Sequence, residues 1–225
     1  SYFQDVDVLI NLASIGVVSS SLSIETLYAV NCFQTLELIN NAVQAGVKKI
    51  IHIGSCFEYG TSGCNYNYIP ADAPLYPVTH YALSKASGSQ ALIAFANSAL
   101  IEFELVILRL FHIYGKREHS SRFWPQINRC AKLNIPLDMT LGEQVRDFTP
   151  VTLAVKSIMD EINCLDQPSK IKLRNIGTGC LMTLKQFAER EWKYINNSVK
   201  LNLGAIEYRD SEIMRYVPCL EPNYL

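Results

Sequence analysis

Tyr81 and Lys85 stand four residues apart in "HYALSKASGSQ", the spacing that puts two side chains on one face of a helix. A phenol ordinarily ionises near pH 10. An ammonium held beside it favours the phenolate and makes the phenol a usable acid or base nearer neutrality. The chain has 12 tyrosines, so such a pair also arises by chance, and spacing alone does not carry the chemistry. Position adds the weight. Ser55 ends the apolar run "KKIIHIGS", at the carboxyl end of a parallel strand where open α/β sheets hold their ligands. Tyr81 opens the next helix, after a loop carrying Pro70, Pro74 and Pro77. A serine hydroxyl and a phenol aimed at one substrate oxygen would hold it for proton transfer. "LINLAS" brings Leu12, Ala13 and Ser14 to the end of its own strand, where a flat cofactor can lie close to the backbone. The three features converge on one crevice and read as an enzyme site rather than a fortuitous helix pair.

The elements that must position these residues alternate strand and helix. "DVLINLAS" reads as a buried strand, followed by a serine-rich link and a helix from roughly Ser23 to Ala45. The apolar stripe of that helix is Leu27, Val30, Leu36, Ile39 and Val43, with Gly46 where a C-terminal cap belongs. "KKIIHIGS" is apolar throughout, as a parallel strand covered on both faces should be. The helix "YALSKASGSQALIAFANSA" and the strand "FELVILRLFHIYG" complete a doubly wound, Rossmann-type parallel sheet. Beyond Gly115 the elements shorten and become more polar. "RFWPQINRCAKLN", "VTLAVKSIMDEIN" and "TLKQFAEREWKYIN" read as helices, the last opening with Thr183 and Gln186 at capping-box spacing, and "IKLRNIGTG" reads as a strand. We expect a division at that point: residues 1–115 as the C-terminal part of a cofactor-binding domain with the catalytic residues, and residues 116–225 mainly as a smaller substrate lobe. Gly177-Thr178-Gly179 lacks the third glycine of a phosphate loop and reads as a plain strand-to-helix turn.

Composition excludes several classes. At 225 residues and 49% hydrophobic, the chain can bury one sizeable core. A net charge of −1 with both signs interspersed gives no case for a nucleic-acid partner or an anionic membrane. No apolar run reaches the length of a membrane-spanning helix. Seven cysteines without a C-x-x-C pair suit free thiols in a reducing cytoplasm. The four histidines lack ligand spacing, so no metal site is expected. Asn196-Asn197-Ser198 fits a glycosylation sequon and is read as a solvated helix end.

In its motifs, taken in order, the chain resembles the extended short-chain dehydrogenase/reductase family, in the branch of nucleotide-sugar epimerases and dehydratases. "DVLINLAS" is similar to the family's D-x-V-x-x-x-A strand, and Asn31 to an asparagine that holds the strand ends near the cofactor. "GSCFEYG" matches the S-x-x-x-Y-G segment whose first residue is catalytic, here Ser55, and "YALSK" is the Y-x-x-x-K signature. "LRLFHIYGKRE" matches the strand and loop that touch nicotinamide and sugar; "VRDFTPV" matches an R-D-F segment whose arginine grips the nucleotide diphosphate. The resemblance implies NAD or NADP as cofactor, with Leu12, Ala13, Ser14, Asn31, Tyr81, Lys85 and Phe111 around it. It implies a nucleotide-sugar substrate contacted by Ser55, His112, Arg122 and Arg146, and a homodimer for the complete protein.

The departures narrow the reaction. The resemblance implies an Asp-Glu pair directly after the catalytic serine or threonine of sugar dehydratases; here those positions hold Cys56 and Phe57. Phe57 cannot transfer a proton and a thiol is a poor acid for a leaving hydroxide, which disfavours dehydration. A glutamate is also what decarboxylating relatives place where Phe57 stands. His112 replaces an asparagine, and Thr152 and Leu153 replace an acidic pair. Hydride transfer at a ring carbon remains: reduction of a 4-keto-6-deoxyhexose of the kind used in surface polysaccharides, or 4-epimerisation. A non-catalytic nucleotide sensor or an inactive truncated remnant is the alternative of another class. A buried strand at Val6–Leu12 with nothing before it leads us to expect a preceding segment carrying the glycine-rich phosphate turn and the residue that selects NAD or NADP. By that expectation residues 1–225 alone bind the cofactor weakly and self-associate through the bare strand edge.

Overall fold

The strands that end at Asn11 and Ser55 lie side by side, in register from Val8 opposite Lys49 to Asn11 opposite His52. The computed structural model describes residues 3–17, 22–164, 170–196, 198–210 and 212–225. The serine-rich link at residues 18–21 and the central residue of the sequon, Asn197, lie outside the described residues. The first half runs β1 (Val8–Asn11), α1 (Ile24–Tyr28), a π-helical turn (Ala29–Gln34), α2 (Thr35–Gln44), β2 (Lys49–Ser55), short 3-10 turns at Cys56–Tyr59 and Thr61–Asn65, α3 (His80–Ser98) and β3 (Glu104–Leu110). The second half runs β4 (Ile113–Tyr114), α4 (Phe123–Leu133), β5 (Leu137–Met139), β6 (Val145–Asp147), β7 (Thr149–Pro150), α5 (Val151–Ile162) and β8 (Ile171–Ile176). It continues with β9 (Leu181–Thr183), α6 (Leu184–Lys193), β10 (Leu201–Leu203), β11 (Arg215–Tyr216) and β12 (Asn223–Tyr224).

The main sheet has the order β1-β2-β3-β8-β12. Its first four strands are parallel and β12 is antiparallel. Alternate residues of the apolar strands serve opposite faces, which is why these runs need no polar alternation. Ile50, Leu105 and Ile107 pack with Ile39 and Val43 of α2 and Leu92 of α3; Ile51, Val106 and Leu108 pack with Ala154 and Ile158 of α5. Truncating one such side chain, Ile107→Ala for instance, would cost about 2–5 kcal/mol. The sheet is the doubly wound α/β arrangement expected. A second core gathers Ile127, Phe148, Phe187 and Trp192 between α4 and α6, with the Phe148 and Phe187 rings stacked at 3.8 Å. The chain does not leave the main sheet for good at Gly115: α5, β8 and β12 all return to it.

Three local features differ from the sequence reading. The helix from Ser23 to Ala45 is interrupted by its π turn, backed by a hydrogen bond from the Thr35 hydroxyl to the Val30 carbonyl at 3.0 Å. The last apolar strand of the first half stops at Leu110, because His112 takes a φ of 37° and turns the chain off the sheet toward β4. The Gly177–Gly179 turn is indeed no phosphate loop. Its anion-binding concavity is filled from within by the Asp147 carboxylate, which accepts from the Thr178 and Gly179 N–H groups at 2.9 Å each and from the Thr178 hydroxyl at 2.6 Å.

Candidate active site

The carboxyl ends of β1, β2 and β3 open onto a cleft of about 530 Å³ whose walls include Ser14, Ser55, Phe57, Tyr81, Lys85, His112 and Arg122. Each wall is placed by a short-range rule. Ser55 closes β2 and at once caps the following 3-10 turn: its hydroxyl accepts from the Phe57 N–H at 3.3 Å, and its own N–H donates to Glu58 Oε1 at 2.7 Å. Thr79 caps α3 by accepting from the Ala82 N–H at 3.1 Å, which starts the helix in time to put Tyr81 and Lys85 in its first turns. Gly60 lets the "EYG" segment close: at φ 53° its hypothetical Cβ would stand 1.8 Å from the Tyr76 carbonyl oxygen, so no other residue fits.

Tyr81 reaches the hydroxyls of both Ser55 and Ser14. Burial pushes its phenol above the ordinary tyrosine value, and the two serine hydrogen bonds pull it only partly back. Lys85 is almost fully buried and donates to the Ile53 carbonyl at 2.7 Å. Burial lowers its pKa, against the opposing pull of Glu58. The expected lowering of the tyrosine by the lysine is therefore corrected. Desolvation outweighs the serine hydrogen bonds, Cys56 and Glu58 push in the same upward direction, and the phenol stays protonated through neutral pH. Cys56 lines the cleft with almost no exposed surface, and burial pushes its thiol up to about 12, so it holds no thiolate and is no nucleophile at neutrality. Phe57 lines the cleft and meets Tyr81 edge to face, ring centres 6.3 Å apart.

The other expected residues fall into three groups. Leu12 and Ser14 line the cleft, and the chain continues through Ile15, Gly16 and Val17 as further wall; Ala13 is exposed just beside it, its N–H held by Asn11 Oδ1 at 3.1 Å. Asn31 is wholly buried and does not face the cleft. It fastens the wall from behind, bonding Ile15 and the Ser84 hydroxyl. Phe111 is corrected: its ring is fully buried between Tyr59 and Tyr216, and it is the flanking Leu110 and His112 that line the cleft. Alternation along the strand turns Phe111 inward.

Arg122 lines the main cleft and pairs with Glu118 at 3.1 Å. Arg146 lines a smaller cavity of about 90 Å³ that shares Phe57 and His112 with the main one. It donates to the Val145 and Ile213 carbonyls and approaches Glu212 at 3.5 Å. His112 thus stands between the two arginines. Burial, then the charges of Arg146 and Arg122, lower its pKa to about 3, so the imidazole is neutral, and its Nδ1 is buried with no hydrogen-bond partner among the described residues. The sequence reading missed Ile15, Gly16 and Val17, the Ile53 carbonyl and the Glu58–Arg109 pair; only Glu58, a charge within an apolar turn sequence, offered a signal.

Comparison with known proteins agrees with this geometry. CDP-abequose synthase of Salmonella muenchen is 32% identical over 107 residues, which is 48% of this chain and 36% of that protein. UDP-glucose 4-epimerase of Vibrio cholerae is 28% identical over 152 residues, 64% of this chain and 42% of that protein. The chain thus aligns with less than half the length of either. Among solved structures, MoeE5 in complex with UDP-glucuronic acid and NAD superposes with a TM-score of 0.78 at 23% identity, over 95% of this chain and 70% of that one. A UDP-glucuronic acid 4-epimerase from Bacillus cereus gives 0.82 at 21% identity, over 97% and 68%; at such identities the likeness shows the fold. The sequence profile of the NAD dependent epimerase/dehydratase family matches residues 1–159, and with the serine, tyrosine and lysine of its motifs meeting in one cleft, the chain belongs to that family.

Proposed function

We propose that the full-length protein is an NAD(P)-dependent oxidoreductase of nucleotide-activated sugars, reducing a 4-keto-6-deoxyhexose at C4. The observation that carries this reading is the proton inventory of the cleft. Its walls present a phenol, serine hydroxyls, one thiol, one ammonium, a neutral imidazole and a guanidinium, and among the described lining residues there is no carboxylate. Eliminating water from a sugar calls for a further base and acid besides the group that serves the hydride step; adding a hydride to a ketone needs one proton donor. Small or bare wall positions at Ser14, Gly16 and Gly54 leave room for a flat ring against the backbone, beside the Lys85 ammonium. Bound NAD(P)H supplies the hydride. Ser55 donates a hydrogen bond that orients the C4 carbonyl, and Tyr81, protonated at neutral pH, gives its proton to the C4 oxygen as negative charge develops there. Arg122 and Arg146 bind the diphosphate, Arg146 after exchanging its carbonyl partners for phosphate oxygens. Similarity to a CDP-abequose synthase supports this reading; similarity to a UDP-glucose 4-epimerase supports a second, in which oxidised NAD(P) would take the C4 hydride and return it to the other face, with Tyr81 needed as phenolate to accept the C4 hydroxyl proton and as phenol to give it back.

The reading extends to a division of labour in which residues 1–115 hold the cofactor and the second core carries the sugar nucleotide, to a homodimer of the complete protein, and to a cytoplasmic location. Sedimentation equilibrium of the full-length protein tests the dimer, and a single monomeric species would exclude it. The activity is tested by mixing full-length protein with a nucleotide-linked 4-keto-6-deoxyhexose and NADH or NADPH. Stoichiometric loss of reduced nicotinamide supports reduction. Exchange of C4 epimers without net oxidation favours the second reading. Formation of a 4-keto-6-deoxy product from an intact hexose, or cofactor binding without any turnover, overturns both.

A further inference from the structure

A buried charge lies directly under the catalytic serine, and the chemistry above leaves it without a task. Glu58 has no exposed surface. One carboxylate oxygen accepts from the Ser55 N–H at 2.7 Å, the other from Arg109 Nε at 2.9 Å. Arg109, itself buried near the carboxyl end of β3, donates through Nη1 to the Tyr59 hydroxyl at 3.1 Å and the Ala71 carbonyl at 2.8 Å. The Tyr59 hydroxyl donates to Asn175 Oδ1 at 2.6 Å, and Asn175 Nδ2 donates to the Ile69 carbonyl at 2.8 Å. A polar chain therefore crosses the sheet from the end of β2 through β3 to β8, inside an otherwise apolar core. Well-packed apolar residues would serve stability as well as a buried ion pair or better, so its retention calls for a purpose.

We propose, on the reading of the cleft as a hydride-transfer site, that Glu58 is a positioning residue for the acid/base pair: held by Arg109, its carboxylate locks the Ser55 backbone so that the Ser55 hydroxyl stays directed at Tyr81, and it sets a fixed negative charge beneath Tyr81 and Lys85. The lock is two-sided. Glu58 takes the Ser55 N–H while the Phe57 N–H donates to the Ser55 hydroxyl oxygen, which leaves the hydroxyl proton free for substrate. The charge is felt at both partners: Glu58 raises the pKa of Lys85 and, more weakly than burial does, that of Tyr81. The other titratable groups around Tyr81 are Cys56 from the same turn, Lys85 on its own helix, and His112 and Arg122 across the cleft.

Two variants of the full-length protein test this, Glu58→Gln and the paired replacement Glu58→Leu with Arg109→Met, which removes both charges together and keeps the core filled. The expected result is a folded protein by circular dichroism with cofactor affinity unchanged, kcat lowered about tenfold or more, and KM little altered. The Tyr81 phenol, followed by ¹³C-tyrosine NMR in the free protein with Tyr81→Phe as the assignment control, should titrate at higher pH than in wild type, because the Ser55 hydrogen bond that lowers it is lost and outweighs the raising effect of the Glu58 charge. The NMR readout needs no turnover, so it stands even where the reductase reading fails; loss of turnover in wild type would sink that reading alone. If the Gln variant does not fold, the paired replacement decides. A stable paired variant with wild-type kcat and an unmoved Tyr81 titration would mean that Glu58 and Arg109 only hold the core together.

Discussion

Asn31 holds both polar groups of a single residue, Ile15: its Oδ1 accepts the Ile15 N–H and its Nδ2 donates to the Ile15 carbonyl, each at 3.0 Å. The same Nδ2 also reaches the Ser84 hydroxyl at 3.0 Å. One amide thereby ties the loop after β1 to the helix that bears Tyr81 and Lys85. Replacing Asn31 by Ala leaves the half-buried Ile15 N–H and carbonyl without this partner, while the Ser84 hydroxyl keeps its bond to the Tyr81 carbonyl, and should cost about 1–3 kcal/mol in urea unfolding. Amide exchange at Ile15 should accelerate while that of Ile107 in β3 stays slow. Unchanged protection at Ile15 would show that the loop is held by something else.

Tyr81→Phe in the full-length protein keeps the ring against Phe57 but removes the proton. Loss of a positioned acid typically costs 10²–10⁴-fold, so turnover should fall by that factor with cofactor affinity nearly intact. A variant that kept more than about a tenth of wild-type turnover would place the proton donor elsewhere.

Arg146→Lys replaces a planar fork by a point charge. If the guanidinium grips a diphosphate, KM for the sugar nucleotide should rise about tenfold or more while kcat holds. A change confined to kcat would move Arg146 from binding to chemistry.

Acid stability should report on His112. Its pKa falls from 6.5 to about 3 on folding, so between these values the unfolded chain binds a proton that the folded one does not. Stability is full above about 6.5 and is lost as the pH falls, by up to about 1.4 kcal/mol per pH unit for this group. His52, buried and likewise lowered, acts in the same sense. His112→Asn should flatten the dependence of unfolding free energy on pH below 6.5; an identical slope in the variant would mean that the ring is protonated in the folded protein.

The sequence made some of this legible and concealed the rest for identifiable reasons. Apolar runs without alternation announced β2 and β3, because strands covered on both faces need no polar side. Ser55, Tyr81 and Lys85 could be found because each occupies an element end with its own cap or turn signal. Phe111 was misplaced because adjacent residues at a strand end face opposite ways, and a motif does not say which neighbour faces the ligand. The direction of the tyrosine shift was missed because spacing reveals the nearby charge but not the depth of burial. Asp147 and the Gly177–Gly179 turn are separated by about thirty residues of chain, so nothing local disclosed that the turn's anion is internal.

The π turn at Ala29–Gln34 is, in register, one surplus residue in a helix. It places the Asn31 backbone where the Asn31 carbonyl packs against Gly88 of α3, at a point where any Cβ would stand 2.3 Å away. Deleting a single residue within it would let the segment relax to an ordinary α-helix with little change in total helicity. It would also rotate everything on the amino-terminal side by about 100° relative to α2. Asn31 would swing away from Ile15, and the wall of the cleft would lose its fastening although every residue named in the chemistry remained. The helix is thus a phase-sensitive element, more tolerant of exchanged side chains than of an altered residue count. Related chains should differ along it by substitution, with insertions and deletions collecting in the loops at either end.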